Sequence, residues 1–164
     1  MQSSFKQLLH NSKNMAELRG NSHGFLMCGL SDRLQKEGDM KTPGKRVLLV
    51  DDELSVSSSL SDLLELWGYE VCSTVTSGED AILTTRSEKP DLVLMDIQLK
   101  GSMNGIESAR EIKKHNNASI IFMTGYISEK LKREAEMLRP LAYLTKPFEL
   151  DELKSALDSA SQAK

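Results

Sequence analysis

The sequence predicts an α/β domain built on a parallel β-sheet with helices on both faces. Three observations carry this. From Arg46 onward, five short apolar runs alternate with five segments of helical periodicity over about 115 residues. The connections between them are short. Two of the runs, Val47-Leu48-Leu49-Val50 and Leu92-Val93-Leu94-Met95, are apolar without a break, as strands buried on both faces are. Crossovers between such strands are right-handed.

The elements follow in order. Residues 47–50 form the first strand. Leu60, Leu63, Leu64 and Trp67 recur at i, i+3, i+4 and i+7, which is one face of a helix, and Gly68 ends it. Residues 69–75 read as a second strand, with Glu70 marking an edge position and Cys72 read as a small core residue rather than a reactive thiol. Ser77-Gly78-Glu79-Asp80 opens a short helix through Arg86. Pro90 and Asp91 lead into the third strand, residues 92–95. Residues 105–115 are helical, with Ile106, Ala109 and Ile112 on one side. The fourth strand covers 119–123, the fourth helix 128–138 and the fifth strand 141–144. The last helix runs from 149 to about 160, with Leu150, Leu153 and Leu157 on its apolar face.

Residues 1–42 are expected to be an irregular extension, flexible or weakly helical. Phe5, Leu8 and Leu9 mark a short apolar face, but Gly20, Gly24, Gly29 and Gly38 interrupt regular structure. Met40 also precedes a natural domain start. The chain ends four residues after Ala160, which leaves no room for an output domain within it.

Composition bounds the function. Hydrophobic residues make up 39% and charged residues 27%, the balance of a soluble globular domain. The net charge is −3, and Lys and Arg are not clustered, which disfavours nonspecific nucleic-acid binding. No apolar run approaches the ~20 residues of a membrane span. The start lacks a signal-peptide pattern. Cys28 and Cys72 form neither a disulfide framework nor a metal motif. The cytoplasm is the expected compartment.

In a parallel sheet with helices on both faces, the site lies outside the carboxyl ends of the strands. Strand one ends in Asp51-Asp52-Glu53, strand three in Asp96, strand four in Thr124-Gly125 and strand five in Thr145-Lys146-Pro147. Each has an ordinary reading. Asp51 and Asp52 can cap a helix, Thr124 can be a β-branched strand residue, and Lys146 can be a solvated charge. Asp96 is harder to explain alone, because an unpaired buried charge is costly. Together they point to one chemistry. Clustered carboxylates repel unless a cation sits between them, and an oxygen-only ligand set selects Mg²⁺ or Mn²⁺ over Zn²⁺. Asp52 and Asp96 can bind such an ion directly, with a backbone carbonyl after Asp96, and Asp51 through a water. The Asp96 carboxylate is also a competent nucleophile toward phosphorus, giving an acyl phosphate. Lys146 and the Thr124 hydroxyl can then neutralise equatorial oxygens.

Val-Leu-Leu-Val-Asp-Asp-Glu at 47–53, Asp-Leu-Val-Leu-Met-Asp-Ile at 91–97, Met-Thr-Gly at 123–125 and Lys-Pro-Phe at 146–148 resemble the receiver domains of two-component response regulators. The resemblance covers about residues 45–160. It implies a flavodoxin-like doubly wound sheet of strand order 2-1-3-4-5. It also implies Mg²⁺-dependent transfer to Asp96 from the phosphohistidine of a sensor histidine kinase or histidine phosphotransfer protein. By the same resemblance, Asp51 and Asp52 are the acidic pair, Gln98 supplies a metal-binding carbonyl, Thr124 is the switch hydroxyl and Lys146 the phosphate-binding lysine. Tyr143 matches the aromatic switch on a protein-binding face made by the fourth helix, fifth strand and fifth helix, where a downstream target or a weak dimer partner docks. Lys146-Pro147 is expected to be cis. The resemblance is to stand-alone receivers, which are phosphoacceptors with no separate substrate turnover. One departure is Lys100, where many receivers carry a proline four residues after the aspartate.

Other classes remain to be separated. A flavin or nucleotide binder of the same fold needs a Gly/Ser/Thr-rich loop after strand one, and here it is acidic. An aspartyl phosphatase needs a second acid two residues after the nucleophile, where this chain has Gln98. A degenerate receiver usually lacks one of the key residues, and all are present here.

Overall fold

The computed structural model describes residues 44–126 and 128–162. The expected extension over 1–42 lies outside the described residues. The elements alternate strictly: β1 (Arg46–Val50), α1 (Leu54–Leu66), β2 (Glu70–Val75), α2 (Gly78–Glu88), β3 (Leu92–Asp96), α3 (Gly105–Ile112), β4 (Ser119–Thr124), α4 (Glu129–Glu136), β5 (Ala142–Thr145) and α5 (Leu150–Gln162). The five strands form one sheet in the order β2-β1-β3-β4-β5, and every neighbouring pair is parallel. This is the expected flavodoxin-like strand order.

The period of two along each strand divides the core between the two faces. Val47 and Leu49 of β1, Leu92 and Leu94 of β3, and Ile121 and Met123 of β4 pack with Leu60 and Leu64 of α1 and Leu153 and Leu157 of α5. The alternate residues, Leu48, Val50, Val93, Met95, Ile120 and Phe122, pack with Ala81, Ile106, Ala109, Ile112 and Ala135 from α2, α3 and α4. β1 and β3 are therefore covered on both sides, which is why their sequences are unbroken apolar runs. Each large side chain so buried contributes about 1.5–3 kcal/mol, an upper bound that leaves out the ordering entropy.

β2 is an edge strand, as Glu70 implied. Its register with β1 slips: Val47 faces Val71, but Leu48 faces Ser73, so Cys72 is the extra residue of a bulge. The Cys72 thiol lies 3.3 Å from the Val47 carbonyl and is half-buried against the core, and burial pushes its pKa up. Other boundaries shift by one to three residues. α3 stops at Ile112 rather than at 115. Lys113 is its C-cap, and Asn116 holds the following turn by donating its backbone N–H to Ile112 O and its amide to Thr85 O, while its side-chain oxygen accepts from Ala118 N–H. α4 begins after Ser128, whose hydroxyl accepts from Leu131 N–H, and Arg139 turns the chain at a φ of 48°.

Candidate functional site

Parallel pairing brings the carboxyl ends of β1, β3, β4 and β5 to one rim. Val50 pairs with Met95, so the next residues, Asp51 and Asp96, are neighbours. Asp96 pairs with Met123, and Thr124 with Thr145. The Lys146 backbone N–H donates to Thr124 O at 2.7 Å, fixing the lysine at the end of β5. Lys146-Pro147 is cis.

The Lys146 ammonium donates to Asp51 Oδ2 at 2.6 Å and to Asp96 Oδ2 at 2.5 Å. The second oxygen of each carboxylate is also engaged: Asp51 Oδ1 accepts from Glu53 N–H at 2.9 Å, and Asp96 Oδ1 from Gln98 N–H at 2.8 Å. Asp51 is fully buried and Asp96 nearly so. Burial pulls the Lys146 pKa down, but its hydrogen bonds to the Asp51 and Asp96 carboxylates, with their negative charge, outweigh it and hold the ammonium above its ordinary value. Charge-assisted bonds of this kind are what make a buried carboxylate tolerable.

Asp51, Asp52 and Asp96 each offer one carboxylate oxygen within 4.8 Å of the others. Three hard oxygens this close, two of them on buried residues, suit an octahedral divalent cation that keeps some of its waters. The capping reading of the acidic pair does not hold: the residue capping α1 is Glu53, without a side-chain bond, and no acid lies in the first turn. Asp52 instead pairs with Lys100 Nζ at 2.8 Å.

The backbone under Asp96 demands a glycine. A Cβ on Gly105 would lie 2.0 Å from the Asp96 carbonyl oxygen, so only glycine lets α3 start directly against β3. Gly105 N–H donates to Ile97 O, and Asn104 with Glu107 closes the α3 start as a capping box. The intervening loop is pinned on its far side by a hydrogen bond from Ser102 to the Glu79 carboxylate, which lowers the Glu79 pKa.

Thr124 is buried, and its hydroxyl donates to Tyr126 O at 2.7 Å. Tyr143 is 36% exposed and stacks on Phe122 with ring centroids 5.8 Å apart. Burial, with a smaller push from Glu136, raises the Tyr143 hydroxyl to about 12. The predicted residues Asp51, Asp52, Asp96 and Lys146 thus meet. Gln98 reaches Asp96 through its N–H, Thr124 points to its own following loop, and Tyr143 sits on β5 beside Phe122 of β4. The Lys100–Asp52 pair left one trace in the sequence, a lysine four residues past Asp96 where many receivers carry a proline.

Comparisons with known proteins agree with this geometry. Residues 47–158 match the response regulator receiver domain family. The transcriptional regulatory protein PdtaR of Mycobacterium tuberculosis is 32% identical over 124 residues, covering 76% of this chain and 60% of PdtaR. The chain therefore spans about 60% of the length of that relative. The chemotaxis protein CheY of Thermotoga maritima is 36% identical over 120 residues, covering 73% of this chain and 99% of CheY. Among solved structures, the signal receiver domain of a modulated diguanylate cyclase from Desulfovibrio desulfuricans superposes with a TM-score of 0.67 at 32% identity, over 71% of this chain and 92% of that one.

Proposed function

The chain belongs to the response regulator receiver domain family, and from that premise we propose that Asp96 is a phosphoacceptor in a phosphorelay. Receiver domains are signalling domains that interact with histidine kinases and downstream targets and bind Mg²⁺ at an acidic pocket. The donor proposed here is the phosphohistidine of a sensor kinase or a histidine phosphotransfer protein. An Asp96 carboxylate oxygen attacks phosphorus as the P–N bond breaks; the imidazole leaves with the electron pair and takes a proton from solvent. The product is an aspartyl acyl phosphate.

The single observation that carries this reading is the Lys146 ammonium held between Asp51 and Asp96 at the mouth of a three-aspartate cluster. Phosphoryl transfer asks for positioning and charge neutralisation, and little covalent chemistry. A bound Mg²⁺ or Mn²⁺ would supply Lewis-acid neutralisation of a phosphoryl oxygen, held by Asp52, Asp96 and the Gln98 carbonyl, with Asp51 in support. Lys146 neutralises a second oxygen without leaving its place. Thr124 serves a third by turning its hydroxyl from Tyr126 O to the phosphoryl group. Phe122, two residues before Thr124 on β4 and stacked on Tyr143, links that movement to β5. The output is a changed protein-binding face on α4, β5 and α5, which takes a downstream protein or a weak dimer partner in the cytoplasm. The protein turns over no separate substrate, and the domain extends over residues 45–160, with 1–42 as an extension.

Incubation with phosphoramidate or acetyl phosphate and Mg²⁺ is expected to add one phosphoryl group by mass, and Asp96→Asn to abolish the gain. Labelling that survives Asp96→Asn, or that proceeds equally with chelator present, overturns the proposal.

A further inference from the structure

Lys100 stands where the family resemblance called for a proline, and it brings a second ammonium to the acidic cluster. Its Nζ lies 2.8 Å from Asp52 Oδ2, while Lys146 serves Asp51 and Asp96. Every carboxylate of the cluster is thus neutralised by a lysine of the chain itself. The Lys100 stem is not placed by packing, since its side chain is 88% exposed. What presents it is the loop: Gly101 adopts a φ of 153°, Ser102 bonds to Glu79, and Asn104 is locked in the capping box.

We propose that Lys100 is a tethered counter-cation that competes with the divalent ion for Asp52 and so sets the metal affinity of the pocket. This rests on the reading of the three aspartates as the metal site. An ammonium 2.8 Å from Asp52 Oδ2 already neutralises that carboxylate and repels a divalent cation beside it, so metal binding works against the exposed Lys100 contact. Lys146 sits between the two buried carboxylates, with its backbone N–H tied to β4. The competition is weak because the lysine end of the pair is exposed, and it fades as salt screens it.

Titration of the full chain with Mn²⁺, followed by the electron paramagnetic resonance signal of the free ion, tests this without any phosphoryl donor. At low ionic strength, Lys100→Gln is expected to bind Mn²⁺ about two- to fivefold more tightly than the native chain, a range typical of exposed ion pairs. The gain is expected to shrink toward one at high salt. Lys89→Gln removes the same charge at the C-terminal end of α2, on the opposite rim of the sheet, and is expected to leave the affinity unchanged. Equal affinity in Lys100→Gln and the native chain, weaker binding by the variant, or the same gain in Lys89→Gln overturns the inference. If the native chain binds no Mn²⁺, or binds it equally well as Asp52→Asn, the metal-site reading itself fails, which is a separate result.

Discussion

Two lysines reach the same acidic cluster from different parts of the molecule, and they are not equivalent. Lys146 comes from the end of β5, part-buried, with its backbone tied to β4 and its ammonium shared by two carboxylates. Lys100 comes from the loop between β3 and α3, almost wholly exposed, and meets one carboxylate. The distances are similar, at 2.5–2.8 Å. Their energetics differ, because low-dielectric surroundings amplify a pairing that water and salt would screen. Contact length alone therefore says little about what an ion pair does; here the burial of the lysine, far greater for Lys146 than for Lys100, decides it.

The comparison can be broken most forcefully beneath the loop rather than at either lysine. Gly105→Ala drives a Cβ into the Asp96 carbonyl, a backbone atom that cannot step aside. A loss of about 3 kcal/mol is expected in urea unfolding, together with a displaced Asp96. Lys146→Met comes next. It leaves buried Asp51 and Asp96 facing each other without their cation, and a loss of about 1–3 kcal/mol is expected, the usual cost of breaking a buried pair reduced for the partial exposure of the lysine. Millimolar Mg²⁺ should restore part of that loss by separating the carboxylates. Lys100→Gln is expected to leave the urea midpoint unchanged within error at any salt concentration. If it matched Lys146→Met, the distinction drawn between the two regions would be wrong.

A separate effect concerns Tyr143, where burial again sets the charge state. Its pKa is raised to about 12, so the folded protein holds the proton more tightly than the unfolded chain, for which about 10 is usual. The associated stability is fully present below pH 10 and is lost as pH rises toward 12. Phenolate absorbance should show a late-titrating component that Tyr143→Phe removes.

The strands and the strand-end acids were legible in the sequence for one physical reason. A strand covered on both faces must be apolar throughout, so Asp51 and Asp96 stand out where the runs of β1 and β3 end. The rest depended on tertiary geometry. The turn after α3 is held by Asn116 bonds to Thr85 and Ala118, which no helical period reveals. The partner of the Thr124 hydroxyl is a carbonyl two residues on, a matter of one side-chain rotation. Lys100 meets Asp52 only because Ser102, Asn104 and Gly105 shape the loop that carries it.

The central claim is that the carboxylate of Asp96, and no other, takes the phosphoryl group. Borohydride reduces an acyl phosphate to an alcohol, so treating the phosphorylated protein and sequencing its peptides by mass spectrometry locates the bond. The account predicts the reduced side chain at position 96 alone. Reduction at Asp51 or Asp52, or a phosphoryl group that borohydride does not remove, would contradict it.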